Sequence, residues 1–128
     1  MDRIRFVIPI MVAIILAMAL FSFAENVPVN TINVMQGEEF KITLESNRTT
    51  GYQWQLAQPL DSSMVEFIAS EYLNKDGRVP GQGGEEIWSF RAVDPGKTEI
   101  YFKYVRPWET DELPAKEEKF VVIINTEG

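Results

Sequence analysis

The sequence predicts an all-β domain, a sandwich of about seven antiparallel strands, behind an N-terminal export signal. Three observations carry this expectation. Apolar and polar residues alternate over several short stretches, the period of a half-buried strand. Turn-forming clusters such as Met35-Gln36-Gly37-Glu38, Pro59-Leu60-Asp61-Ser62 and Asp94-Pro95-Gly96 separate those stretches. No segment after residue 24 carries a helical period.

The chain opens differently from the rest. Arg3 and Arg5 give a short positive end, residues 6–21 are almost uninterruptedly apolar, and Ser22-Phe23-Ala24 offers small residues where a signal peptidase reads. Residues 1–24 therefore read as a secretory signal cleaved before Glu25. The apolar run is close to the roughly 18 residues of a membrane span, so an uncleaved signal anchor is the alternative, and the only route by which a membrane would enter. In both cases residues 25–128 form one exported domain: secreted, periplasmic or held at the cell surface.

Residues 27–34 form the first expected strand. Residues 39–45 set Phe40, Ile42 and Leu44 against Lys41, Thr43 and Glu45, and residues 52–56 set Tyr52, Trp54 and Leu56 against Gln53 and Gln55. Residues 64–73 make a longer, less regular strand. In 86–93, Trp88, Phe90 and Ala92 share a face; in 98–104, Ile100, Phe102 and Tyr104; in 119–125, Phe120, Val122 and Ile124. There is no internal repeat and no low-complexity tract.

Strand parity then places the connections. Each strand crosses the sandwich from pole to pole, so alternate connections return to the same pole. Residues 35–38, 57–63 and 94–97 fall at one pole; 46–51, 74–84 and 105–117 fall together at the other. Loops gathered on a rigid scaffold make a composite binding surface.

Composition narrows the function. The chain has 12 basic and 19 acidic residues, a formal charge of −7. Removing Asp2, Arg3 and Arg5 leaves 10 basic and 18 acidic residues, a formal charge of −8. An acidic domain with no basic cluster is a poor partner for nucleic acid. With no cysteine and no histidine, thiol chemistry, thiolate metal sites, Ser-His-Asp catalysis and the commonest metal ligand are all missing. No metal, cofactor or enzymatic activity is expected. Glu85 and Glu86 are adjacent, hence on opposite faces of a strand. Glu109, Asp111 and Glu112 lack a calcium-loop spacing, so both groups read as solvated charge.

The second set of connections holds the distinctive residues. Asn47-Arg48-Thr49-Thr50-Gly51-Tyr52 offers two hydroxyls and a glycine just before a strand. Alone, it is also an ordinary strand connection; Asn47-Arg48-Thr49 matches the short N-glycosylation pattern, and a glycan there would cover the loop. Gly81-Gln82-Gly83-Gly84 lacks the lysine and the following helix of a phosphate cradle. It suits either a flexible connection or close main-chain approach by another protein. Arg106-Pro107-Trp108 is sharper: a tryptophan in a polar loop, stiffened by proline and beside arginine, combines residue types that dominate binding hot spots. Trp54 and Trp88, inside strand patterns, read as core.

At these loops the chain resembles the chagasin family of cysteine-peptidase inhibitors. That family is marked by Asn-Pro-Thr-Thr-Gly-Tyr, Gly-x-Gly-Gly and Arg-Pro-Trp loops in this order, and the likeness extends over residues 29–124. It implies an immunoglobulin-like sandwich and a monomeric, reversible inhibitor of papain-like cysteine peptidases. The loops would form a wedge in the catalytic cleft, with Thr49 and Thr50 near the catalytic cysteine. Gly81, Gln82, Gly83 and Gly84 would lie along the substrate groove, and Arg106, Pro107 and Trp108 against the opposite wall. The one departure is Arg48, where the family usually carries proline. Arginine frees the φ that proline would fix, so a looser first loop and altered target preference are expected, and Arg48→Pro should slow dissociation. The alternative function is an extracellular sandwich module that binds carbohydrate or mediates cell-surface adhesion, with Trp108 as an aromatic platform.

Overall fold

The computed structural model describes residues 27–74 and 83–126. Residues 1–24, expected to be an export signal, and Gly81 and Gln82 of the second loop lie outside the described residues. Within them the chain forms β1 (Val29–Met35), β2 (Glu39–Ser46), β3 (Gln53–Leu56), β4 (Val65–Asn74), β5 (Gly84–Ala92), β6 (Gly96–Val105) and β7 (Lys116–Asn125). A single 3-10 turn, Arg48–Thr50, precedes β3. These are the seven strands expected from the alternation. β5 and β7 begin a little earlier than it suggested, at Gly84 and Lys116, because cross-strand pairing starts before the first inward-facing apolar residue.

Two sheets result, ordered β1-β7-β6-β3 and β2-β5-β4. The expectation of wholly antiparallel pairing needs one correction: β1 and β7 run parallel, from Val29 opposite Lys119 to Met35 opposite Asn125. Parity explains it. Both are odd-numbered strands running from the same pole, so they are parallel once they become neighbours. Every other pair joins an odd strand to an even one and is antiparallel.

The inward faces are those the alternation marked. Phe40, Ile42 and Leu44 of β2 meet Ile100, Phe102 and Tyr104 of β6 and Phe120, Val122 and Ile124 of β7 in one buried cluster. Phe102 sits at its centre, edge-on to Trp88 at 5.1 Å and to Phe120 at 5.8 Å between ring centroids. Edge-to-face packing suits the aromatic quadrupole. Each fully buried apolar side chain contributes roughly 1.5–3 kcal/mol, which is how a chain without cysteine holds together. Trp88 is half-buried rather than enclosed, and it stacks towards Phe90 and Phe67.

β4 is the irregular strand. It lies at the edge of its sheet, its register with β5 shifts between Phe67 and Ala69, and most of its residues are exposed. A bulge there twists the edge away from further pairing.

The parity rule also fixes the poles. Residues 47–52, 83 and 106–115 all lie at one pole, together with the start of β1 and the start of β7. The tight connections at 36–38 and 93–95 lie at the other.

Candidate functional site

The first loop is organised by its own side chains. Asn47 has extended backbone angles and caps the 3-10 turn: its Oδ1 accepts from the Thr49 amide at 3.1 Å and from Thr49 Oγ1 at 2.6 Å. Thr50 Oγ1 donates to the Asn47 carbonyl at 2.6 Å and accepts from the Tyr52 amide at 3.3 Å. Asn is among the best N-caps because its short side chain reaches the orphan amides of the first turn, an effect of about 1 kcal/mol. Gly51 ends the turn at φ +84°, and its amide bonds back to the Arg48 carbonyl at 3.1 Å. Both threonine hydroxyls thus spend their protons inside the loop.

The third loop buttresses the first. Arg106, Pro107, Trp108 and Glu109 form a β-turn closed by the Glu109 amide on the Arg106 carbonyl at 3.0 Å, with proline at its favoured second position. Arg106 Nε donates to the Thr50 carbonyl at 3.2 Å. The guanidinium lies 4.5 Å over the Tyr52 ring, and Nη1 pairs with Glu109 at 3.1 Å. Tyr52 in turn stacks on Tyr104 at 5.2 Å, and the Tyr104 hydroxyl accepts from the Asn47 amide at 2.8 Å. Trp108 remains 67% exposed, with one edge of its ring against Gly51. Arg106 therefore acts as the strut and Trp108 as the presented surface.

The described part of the second loop lies on the other side of the first. A Cβ on Gly83 would sit 3.5 Å from the Ser46 carbonyl and 3.6 Å from Asn47 Cβ. Gly84 has no room for a side chain: a Cβ would overlap the Leu73 carbonyl and crowd the Tyr72 ring. Tyr72 also carries the Arg48 guanidinium 4.6 Å above its ring. It thus bridges the first loop to the glycine loop.

The structure therefore brings Asn47, Arg48, Thr49, Thr50, Gly51, Tyr52, Gly83, Gly84, Arg106, Pro107 and Trp108 to one pole. Sequence reasoning missed the residues that link them. Tyr72 lies in the irregular strand and gave no periodic signal. Glu86 is the larger correction. It is not solvated charge but 4% exposed, its Oε2 accepting from Ser46 Oγ at 2.8 Å and from the Trp54 amide at 3.1 Å. The signal was available, since Glu86 is in phase with inward-facing Trp88, Phe90 and Ala92. Asp111 and Glu112 are exposed as expected, whereas Glu109 is half-buried and paired with Arg106.

Comparison with known proteins agrees with this geometry. Residues 33–124 match the family model described as Chagasin family peptidase inhibitor I42. Chagasin of Trypanosoma cruzi is 31% identical over 81 residues, covering 61% of this chain and 74% of that protein. Among solved structures, the cysteine protease inhibitor EhICP2 from Entamoeba histolytica has a TM-score of 0.59 at 17% identity, over 78% of this chain and 98% of that one. PbICP-C, solved in complex with falcipain-2, has a TM-score of 0.55 at 18% identity, over 80% of this chain and 90% of that one. The family match takes in most of the chain, from β1 to β7 and through all three loops: this protein belongs to the chagasin family of peptidase inhibitors.

Proposed function

We propose that the chain is an exported, monomeric inhibitor of papain-like cysteine peptidases that lays its three-loop pole into the catalytic cleft reversibly. The observation that carries this reading is the lock between the first and third loops. Arg106 holds the Thr50 carbonyl, and Trp108 rests on Gly51 while keeping most of its surface outward. A surface shaped before contact loses little entropy on binding, so an interface of ~800 Å² per partner suffices without covalent chemistry. In this reading Thr49 and Thr50 approach the catalytic cysteine, Gly81–Gly84 follow the substrate groove by main-chain contacts, and Arg106 and Trp108 pack on the opposite wall.

The position of β1 favours removal of residues 1–24. The Lys119 amide bonds to the Pro28 carbonyl at 3.0 Å, so the chain enters the sandwich at the same pole as the loops. Only Glu25, Asn26 and Val27 separate an anchored segment from Pro28, a reach of about 10 Å. An uncleaved anchor would press the loops against the bilayer and leave no space for a peptidase. This placement supports a secreted or periplasmic form as the active one.

The test is a titration of residues 25–128 against papain with a fluorogenic peptide. Stoichiometric, reversible loss of activity is expected. Full peptidase activity at a large excess of the domain would overturn the proposal.

A further inference from the structure

We propose that Glu86 is a positioning residue, one oxygen of its buried carboxylate clamping both stems of the 47–52 loop so that the loop holds its binding shape in the free protein. The consequence for inhibition rests on the function proposed above; the clamp itself does not.

Glu86 lies on β5, two residues beyond Gly84 of the glycine loop. Its Oε2 accepts from the Ser46 hydroxyl at 2.8 Å and from the Trp54 backbone amide at 3.1 Å. Ser46 is the last residue of β2, on one side of the loop; Trp54 belongs to β3, on the other. β2 and β3 belong to different sheets, so a single atom joins the two layers directly beneath the loop.

The Trp54 amide needs this acceptor. Among the described residues β3 is an edge strand that pairs only with β6, opposite which Trp54 faces Tyr104. The Ala57 amide donates across that pair to the Tyr101 carbonyl at 2.7 Å. Donors alternate along an antiparallel strand, so the amide three residues earlier points away from β6. Trp54 is itself buried, and without the carboxylate its N–H would be an enclosed, unpaired donor.

A carboxylate this deeply enclosed is unfavourable unless it is strongly hydrogen-bonded. A hydrocarbon side chain of similar size would fill the same space without that cost. What hydrocarbon does not supply is direction. Two charge-assisted bonds from one oxygen fix the separation and orientation of the stems, and with them the turn that carries Thr49, Thr50 and Gly51.

The test compares Glu86→Leu and Glu86→Gln by amide exchange in the free protein and by inhibition kinetics with papain. In Glu86→Leu the Trp54, Thr50 and Gly51 amides should exchange about tenfold faster, while the Gln36 and Ala92 amides at the far pole keep their protection. Association with papain should slow by no more than that factor, in proportion to the fraction of molecules that lose the formed loop. Glu86→Gln keeps a carbonyl acceptor and should restore most of both. Ser46→Ala, which removes one of the two bonds, gives a smaller change at the same amides and serves if Glu86→Leu does not fold. Unchanged loop amides would overturn the clamp, and so would a uniform acceleration throughout the chain, which marks Glu86 as mere core. A wild-type chain that leaves papain active would sink the inhibitory reading instead, with the exchange data still deciding the clamp.

Discussion

The indole of Trp108 lies over the α-carbon of Gly51, close enough that a methyl group placed there would overlap Cη2 of the ring. The two residues come from different loops on different strand connections. Their contact accounts for two things together. Gly51 is needed both for its φ of +84° and for its missing side chain, and a tryptophan left 67% exposed has a fixed seat.

Gly51→Ala should therefore act twice. The left-handed backbone costs an alanine roughly 1–2 kcal/mol. The added methyl also unseats Trp108, so affinity should fall by more than stability does. Thermal unfolding and papain titration of the variant, set beside the wild type, check this. An alanine variant of undiminished affinity would show that the Trp108 seat is irrelevant to binding.

Trp108→Ala should separate binding from folding. The side chain is mostly in water, so thermal stability should change by only about 0.5 kcal/mol. As a central interface anchor its loss should cost about 2 kcal/mol or more of binding, some thirtyfold in the inhibition constant. A large drop in melting temperature would mean that the ring holds the pole together rather than meeting a partner.

Much of this was legible beforehand, for identifiable reasons. Phe40, Ile42 and Leu44, or Phe120, Val122 and Ile124, declare their strands because the side-chain period of a half-buried strand is two. Parity placed the three loops at one pole because it depends only on strand count. The β1–β7 pairing was implicit in the same rule, yet neighbour order is not encoded in any local pattern. Glu86 was misread because its charge was weighed above its phase. Tyr72 was not legible at all: its role comes from a ring that happens to reach both Arg48 and Gly84, and only the folded register of β4 on β5 creates that.

Glu118 predicts a pH dependence of stability. Burial raises its pKa above the ordinary glutamate value; Lys116 opposes the shift and Glu45 adds to it. The folded chain thus holds the proton more tightly than the unfolded chain. The associated stability is fully present below the ordinary value of about 4.3 and is lost as pH rises through the raised folded value. Glu118→Gln carries no charge to desolvate. It should melt above the wild type at pH 7, and the difference should shrink towards pH 4. A gap that stays constant or widens on acidification would contradict this.

Arg48 is the point at which the structure alters an expectation. Sequence alone suggested that arginine leaves the first loop loose and that proline would slow dissociation. The structure supplies a different restraint: the guanidinium lies 4.6 Å over Tyr72, and the turn is already closed by Asn47 and Thr50. Arg48 is the first residue of the turn, where proline fits. Proline would restrict the opened loop as it restricts an unfolded chain, an effect of about 0.4–1 kcal/mol. It would forfeit about 0.5–1 kcal/mol of cation–π contact. These nearly offset, so Arg48→Pro should dissociate from papain within about threefold of the wild type. Arg48→Ala loses the contact and gains no rigidity, so it should dissociate faster than either. Surface plasmon resonance on immobilised papain with its active site open would rank the three. If alanine instead left more slowly than arginine, the Tyr72 contact would be straining the loop rather than bracing it.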